Sequence, residues 1–306
     1  MIHNLDSSAA LFLAAIERTQ TRLAEASQRV ASGKRLTVAS DSPDEVATLL
    51  QLKADERHNT QVIANLAMAK THAVAADLAL DASIKLVDRA RLLATQAGDP
   101  LVDAAGKKVL AEEVKALQEQ MVAYSRTAVQ GRYIFSADQD LTPAYEIDLS
   151  TPTGVNQLSD PTATARIEYP TGGSFASTKS AKEIFDSRNP DDSVAQENVF
   201  AALNSLRLAL ENDDTAALET ATTDLRAASY HLNSMQAFYG AVENRIGYAL
   251  DFASTHDIEL QVQISQKEDA DVAAAALEVT AANTQLQAAF QMRGRLPNSS
   301  LFDYLA

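Results

Sequence analysis

The sequence predicts a mainly α protein, a long antiparallel helical bundle or coiled coil formed by both chain ends, with a small β-rich insertion between them. Three observations predict it. Apolar residues recur on alternating three- and four-residue steps at both termini, the signature of a helical seam. Aromatic residues make up 6% of the chain, Trp is absent and Gly contributes only 10 of 306 residues, while alanine is abundant in periodic stretches; that profile favours long helices over sandwiches or barrels. Finally, Pro143, Pro152, Pro161 and Pro170 fall at regular intervals in a single middle stretch.

The first seam runs Ile2, Leu5, Ala9, Phe12, Ile16, Thr19, Leu23, Ala26 and Val30, with only Thr19 departing from the apolar rule. It stops at Ser32-Gly33-Lys34, where Gly33 can take the left-handed conformation that closes a helix. The next start signal combines Ser42 as N-cap, Pro43 in the first helical position, Asp44 in the first turn and Glu45 three residues after the cap. From there Leu66, Ala69, Ala73, Ala76, Leu80, Ser83, Val87, Ala90 and Ala94 keep the same step up to Gly98-Asp99-Pro100. A helix from Pro43 to Ala97 would be roughly 80 Å long. A third helix is expected from Ala104 to Gln130, with Leu110, Val114, Leu117, Met121, Tyr124 and Ala128 on one face and Gly131 closing it.

The proline-punctuated stretch then carries short candidate strands at Arg132 to Ser136, Tyr145 to Leu149 and Ala165 to Tyr169. Its prolines place this insertion outside the helical body. Helical periodicity resumes near Val194, turns at Asn212 to Asp214 and continues without proline from Thr215 to Leu296, a run that would approach ~120 Å unless it breaks near Gly240. Its end carries Val272, Ala275, Val279, Ala282, Leu286, Ala289 and Leu296, with Arg293 as the departure, so both termini bear seams. An alanine-lined seam buries little apolar area, at ~25 cal/mol per Å², and a lone helix is marginal. Each end therefore needs a partner, and the economical partner is the other end. Periodicity alone fits both a monomeric bundle and an assembly subunit.

The net charge of -15 opposes nucleic-acid binding, which demands a basic surface. Without cysteine there is no disulfide framework and no thiolate site. The N-terminus has no basic region before its apolar stretch, which Asp6 and Glu17 interrupt, so it makes a poor signal peptide. No stretch approaches the ~20 apolar residues of a membrane span. His58 lies three residues after Asp55, but the other histidines, His3, His72, His231 and His256, are not paired with one another, and a metal needs three or four convergent ligands. Glu112-Glu113 and Asp213-Asp214 read as solvated faces or caps. No constellation of nucleophile, base and oxyanion donors is visible, so neither an enzyme nor a cofactor is expected.

Several segments carry a resemblance. Ala31-Ser32-Gly33-Lys34-Arg35-Leu36-Thr37-Val38-Ala39-Ser40-Asp41-Ser42-Pro43 resembles the N-terminal hallmark of the flagellin superfamily, small-Ser-Gly, basic residues, an aliphatic residue and an Ala-x-Asp-x-Pro opening of a long helix. The helix from Leu86 to Ala97, with Arg89, Leu93 and Gln96, is similar to the family's Leu-x-x-Arg-x-x-x-Leu-Ala-x-Gln pattern. Asn244-Arg245 and Glu268-Asp269-Ala270-Asp271 are similar to its C-terminal motifs. Three further segments resemble the hook-filament junction branch of the superfamily: Gly131 to Ser136 with Thr142-Pro143, Asn198 to Leu203, and the tail Ser300 to Leu305. That branch usually has Gly where this chain has Ala137. A minimal flagellin is the alternative within the superfamily, and a soluble coiled-coil scaffold the alternative outside it.

The resemblance implies an N-terminal coiled-coil helix and linker over 1–41, a helical body over 42–131 and 194–260, the β-rich insertion over 132–193, and a C-terminal coiled-coil helix and tail over 261–306. It implies a structural subunit exported without a cleaved signal to the extracellular flagellum. Its partners would be hook-associated protein 1, a flagellin and further copies of itself, with an export chaperone at the C-terminal region, and neither nucleic acid nor membrane. The expected assembly interface comprises the two seams together with the apolar tail residues Leu301, Phe302, Tyr304 and Leu305. Arg89 with Leu93 and Gln96 also resembles the face that immune receptors recognise on some flagellins, but Leu92 stands where those proteins commonly carry Glu, so contacts between subunits are the expected role.

Overall fold

The computed structural model describes residues 3–36 and 43–295, with side chains from 10 to 293. Ile2, Asp41, Ser42, Leu296, Leu301, Phe302, Tyr304 and Leu305 lie outside the described residues, as does the side chain of Leu5. Among the described residues there are seven helices: α1 (His3–Ser32), α2 (Pro43–Ala97), α3 (Ala104–Ser125), α4 (Ala181–Phe185), α5 (Val199–Glu211), α6 (Thr215–Glu268) and α7 (Val272–Arg295). Strands are short and pair only as antiparallel hairpins, β1 (Ala128–Val129) with β2 (Arg132–Tyr133), β3 (Tyr145–Ile147) with β4 (Val155–Gln157), and β5 (Arg166–Glu168) with β6 (Ser174–Ala176). The mainly α architecture with paired chain ends and small hairpins is therefore present.

The chain divides into two compact units, one made of residues 1–58 and 256–306, the other of 59–255. In the second unit the predicted face of α2 is the core face: Leu66, Leu80, Val87 and Ala90 are fully buried. They share one apolar cluster with Val114 and Met121 of α3, Leu203 and Leu206 of α5, and Leu225, Leu232 and Ile246 of α6. Short polar side chains start the helices by accepting free backbone N–H groups. Asp103 accepts from Gly106 at 2.8 Å, Asn198 from Ala201 at 2.9 Å, and Ser180 forms a capping box with Glu183.

Three expectations are corrected. The third helix ends at Ser125, not Gln130: the Thr127 hydroxyl donates to the Tyr124 carbonyl, and the chain turns into the β1–β2 hairpin. Gln130 and Gly131, with φ of 52° and 79°, make the two-residue turn with positive φ that matches the twist of the hairpin. The long C-terminal run does not break at Gly240. A glycine within a helix costs only ~1 kcal/mol relative to alanine, and buried Tyr239 and Val242 hold the helix on either side. It breaks instead at Asp269–Asp271, where the Asp271 carboxylate accepts from the Ala274 N–H at 2.9 Å and starts α7.

Nor does the insertion lie outside the body. Phe135, Tyr145, Phe185 and Phe200 are buried, and Phe185 meets Phe135 edge-on at 5.7 Å and Phe200 at 5.8 Å. Phe135 in turn meets Tyr239 of α6 at 6.4 Å. The prolines report loops; the aromatic residues between them supply core.

Candidate assembly site at the paired chain ends

In the first unit, α1 and α7 pack along their seams in antiparallel order. Phe12, Ile16 and Leu23 of α1 and Val279 and Leu286 of α7 are half-buried, while Ala26, Ala275 and Ala282 are buried. The alanines permit close approach of the two backbones, and the larger residues fill the space between them. Two contacts fix the order: Arg29 donates to Glu278 at 3.0 Å near one end, and the Arg293 guanidinium lies 5.5 Å from the Phe12 ring near the other. Val30 and Val272, at the end of the seam nearest the turn between α6 and α7, stay 38% and 45% exposed.

Pairing leaves apolar surface over. Leu11, Leu13, Leu277, Phe290 and Met292 are each more than half exposed. None of them lies on the predicted seams. The signal for them was present as apolar residues beyond the single stripe that a two-helix pair consumes. Apolar side chains left exposed on several sides of a two-helix pair are available for contact with neighbouring subunits.

Next to the seam, two of the motif segments meet. Ser32 ends α1 with its hydroxyl accepting the Lys34 N–H at 3.1 Å, and Gly33 takes a φ of 69° that reverses the chain. Lys34 then forms an antiparallel bridge with Asp269. The Arg35 N–H donates to the Glu268 carbonyl at 2.7 Å, and the Ala270 N–H to the Gly33 carbonyl at 2.9 Å. The Arg35 guanidinium reaches Glu45 of α2 at 2.6 Å and the Lys267 carbonyl at 2.9 Å. Pro43 opens α2, as expected, while the other half of its cap, Ser42, is outside the described residues.

Glu268 sits at the centre of this contact and is only 7% exposed. Its two carboxylate oxygens take the ammonium groups of Lys34 at 2.5 Å and Lys53 at 2.6 Å. Burial works against the carboxylate, but the hydrogen bonds and charges of the two lysines prevail and hold it below the ordinary range. The Lys34 ammonium is correspondingly pushed up by its bond to Glu268.

The remaining motif residues lie in the second unit. Arg89 donates to Glu113 of α3 at 2.8 Å, so its head is engaged within the chain, while Gln96 and Leu92 are exposed. Asn244 is exposed; Arg245 donates to the Tyr169 hydroxyl at 2.9 Å and lies 4.7 Å from the centre of the Phe175 ring, gripping the β5–β6 hairpin. Among the described residues, no group of His, Asp and Glu could hold a metal ion, and no helix is long and apolar enough to cross a membrane.

Helices at both chain ends, paired with each other and still presenting apolar surface, define a helical assembly subunit. Residues 3–140 match the bacterial flagellin N-terminal helical region and residues 222–305 the bacterial flagellin C-terminal helical region, together more than two thirds of the chain. The chain belongs to the flagellin family. It is thus a structural rather than catalytic protein, an extracellular component of the bacterial flagellum that assembles with other flagellar subunits.

Solved structures share the fold at low identity. A Vibrio parahaemolyticus protein assigned as a flagellar hook-associated protein is 15% identical, with 75% of this chain and 100% of that one covered and a TM-score of 0.63. Flagellar hook associated protein-3 of Legionella pneumophila is 15% identical, with 71% and 98% covered and a TM-score of 0.59. FlgL of Bacillus cereus is 16% identical, with 72% and 100% covered and a TM-score of 0.55. No curated protein sequence matches the chain.

Proposed function

We propose that this subunit joins the flagellar hook to the filament. The observation that supports the reading most is the meeting of two segments that resemble the junction branch: Phe135, from the Gly131-to-Ser136 entrance, and Phe200, from the Asn198-to-Leu203 return, both pack against Phe185. The hook-associated proteins named above, whose chains this one covers almost completely, add support at the level of the fold. A junction subunit must present different surfaces to its two neighbours, whereas a filament subunit repeats one heterologous contact without closure. In this reading the segments 1–41 and 261–306 form the terminal coiled coil, 42–131 and 194–260 the helical body, and 132–193 the insertion. The partners are hook-associated protein 1 on one side and a flagellin on the other, with lateral copies of the chain, and an export chaperone takes the C-terminal region before assembly.

Seeding the purified chain at micromolar concentration onto hook-proximal structures and imaging by electron microscopy tests the reading. The expected result is addition in limited number and subsequent growth of a separate flagellin. Micrometre-long filaments of this chain alone would make it a minimal flagellin instead.

A further inference from the structure

The segment that follows α1 and the turn that precedes α7 are held together by two kinds of bond. Two backbone hydrogen bonds, Arg35 to Glu268 and Ala270 to Gly33, form the bridge itself. The charged side-chain bonds to the end of α6 converge on one group: the Glu268 carboxylate binds Lys34 from the segment after α1 through one oxygen and Lys53 from α2 through the other, while Arg35 adds a bond to the Lys267 carbonyl. Around it stand Arg35, Glu45 of α2, Lys267 of α6 and Asp269 of the turn, with Lys267 3.9 Å and Arg35 2.6 Å from Glu45. Four cations thus face three carboxylates; Glu45 touches Arg35 and Lys267 at a part-exposed site, whereas Glu268 is buried and takes Lys34 and Lys53 at close range.

We propose that Glu268 closes a charge-gated clasp, which sets the register of α1 against α7 and opens when that carboxylate is neutralised. A proton taken from solvent onto a Glu268 oxygen leaves four cations facing two carboxylates. The two ammonium groups then repel each other across a neutral acid, and the 33–36 segment loses the Lys34 bond to the end of α6, keeping only the Arg35 side-chain bond to the Lys267 carbonyl. Since α1 ends at Ser32 and α7 begins at Val272, the bridge stands at the point where the seam starts and fixes which residues face each other along it.

The signs follow from the two shifts. Because the Glu268 carboxyl is held below its ordinary range, its contribution is present above the unfolded carboxylate value and is lost as pH falls through the depressed one. Because the Lys34 ammonium is pushed up, its contribution is present below the unfolded lysine value and lost as pH rises through the raised one. The clasp is closed between these edges.

The full chain, labelled with nitrogen-15, tests this through the amide signals of Arg35 and Ala270 followed by NMR from pH ~7 down to ~3. In the parent chain both amides are expected to move together, with a midpoint below ~4.3, the ordinary glutamate value. Glu268→Gln should place both at their open positions at neutral pH, and Lys34→Gln should raise the midpoint towards the ordinary value, while signals from residues 59–255 stay put as the control on folding. Closed amide positions in Glu268→Gln overturn the proposal. So do coil-like positions in the parent chain at neutral pH, or a midpoint that Lys34→Gln does not move.

Discussion

Arg29 and Glu278 stand 249 residues apart in sequence and 3.0 Å apart in space. With Arg293 over Phe12 and the Gly33–Ala270 bond, this pair makes residue numbers rise along α1 as they fall along α7. Both side chains are about a third exposed or more, and an ion pair at such a site contributes at most ~1 kcal/mol. It specifies alignment; the apolar seam beneath it supplies the adhesion.

Leu23→Asp tests that seam. Leu23 is half-buried against α7, and a carboxylate there loses water without gaining a partner, a cost of roughly 2–3 kcal/mol. Pairing of the ends should fail while the unit of residues 59–255 melts unchanged. Circular dichroism should show the loss of helix, and electron microscopy the loss of incorporation into flagellar structures. Normal incorporation would mean that the seam is not needed for assembly.

A second prediction concerns alkaline stability. Tyr145 and Tyr239 are each 1% exposed. Burial pushes the Tyr145 phenol far above its ordinary value, and Asp186, which accepts its hydroxyl at 3.1 Å, adds to the shift. Burial likewise pushes Tyr239 up. Neutral phenols are favoured in the fold, so stability is full below the unfolded value of ~10 and falls as pH rises beyond it. In an absorbance titration these two tyrosines should ionise as a late step coincident with unfolding, and Tyr145→Phe should shrink that step.

Ala137 carries a φ of 48°, a left-handed conformation that costs a residue with a Cβ ~1–2 kcal/mol. Ala137→Gly relieves the strain but adds freedom to the unfolded chain, an opposing ~0.4–1 kcal/mol. The net expectation is stabilisation by somewhat under ~1 kcal/mol, read as a higher midpoint in urea. A lower midpoint would show that the surrounding turn pays no strain for Ala137.

How much of this was legible depended on range. The Pro43–Ala97 helix was readable to the residue because Pro43 and Gly98 punctuate it and eight apolar positions, with Ser83, keep one step. The end of α3 was not, because Ala128 prolongs the three-four step by accident while Gln130-Gly131 makes a hairpin turn. The break at Asp269–Asp271 carries neither glycine nor proline; it forms because Asp271 caps α7 and Gly33 takes the Ala270 N–H from the far end of the chain. The resemblance marked both halves of that contact as motifs, but no periodicity indicates that Lys34 and Glu268, more than two hundred residues apart, share a bond. The burial of Phe135 and Phe185 was hidden for a related reason, since turn signals say where the chain bends and nothing about what the intervening rings touch.

Arg245 decides whether a motif residue serves the subunit's own fold or its contacts. Its Nε donates to the Tyr169 hydroxyl, and its guanidinium lies over Phe175, whose ring is 4.7 Å from that of Tyr169. One side chain on α6 therefore holds both strands of the β5–β6 hairpin, in which Ile167 is paired with Phe175. A cation over an aromatic face contributes ~0.5–1 kcal/mol at an exposed site, and the hydrogen bond about 1 kcal/mol more. Arg245→Lys keeps the charge but cannot stack a plane or fork its donors. It should therefore loosen the hairpin by roughly 1–2 kcal/mol, about a tenfold rise in amide exchange at Ile167 and Phe175, while exchange in the α2–α3–α6 core stays unchanged. Arg245→Ala should loosen it further. If both variants exchange like the parent chain yet fail to enter flagellar structures, Arg245 acts across the subunit boundary and the hairpin contact is incidental.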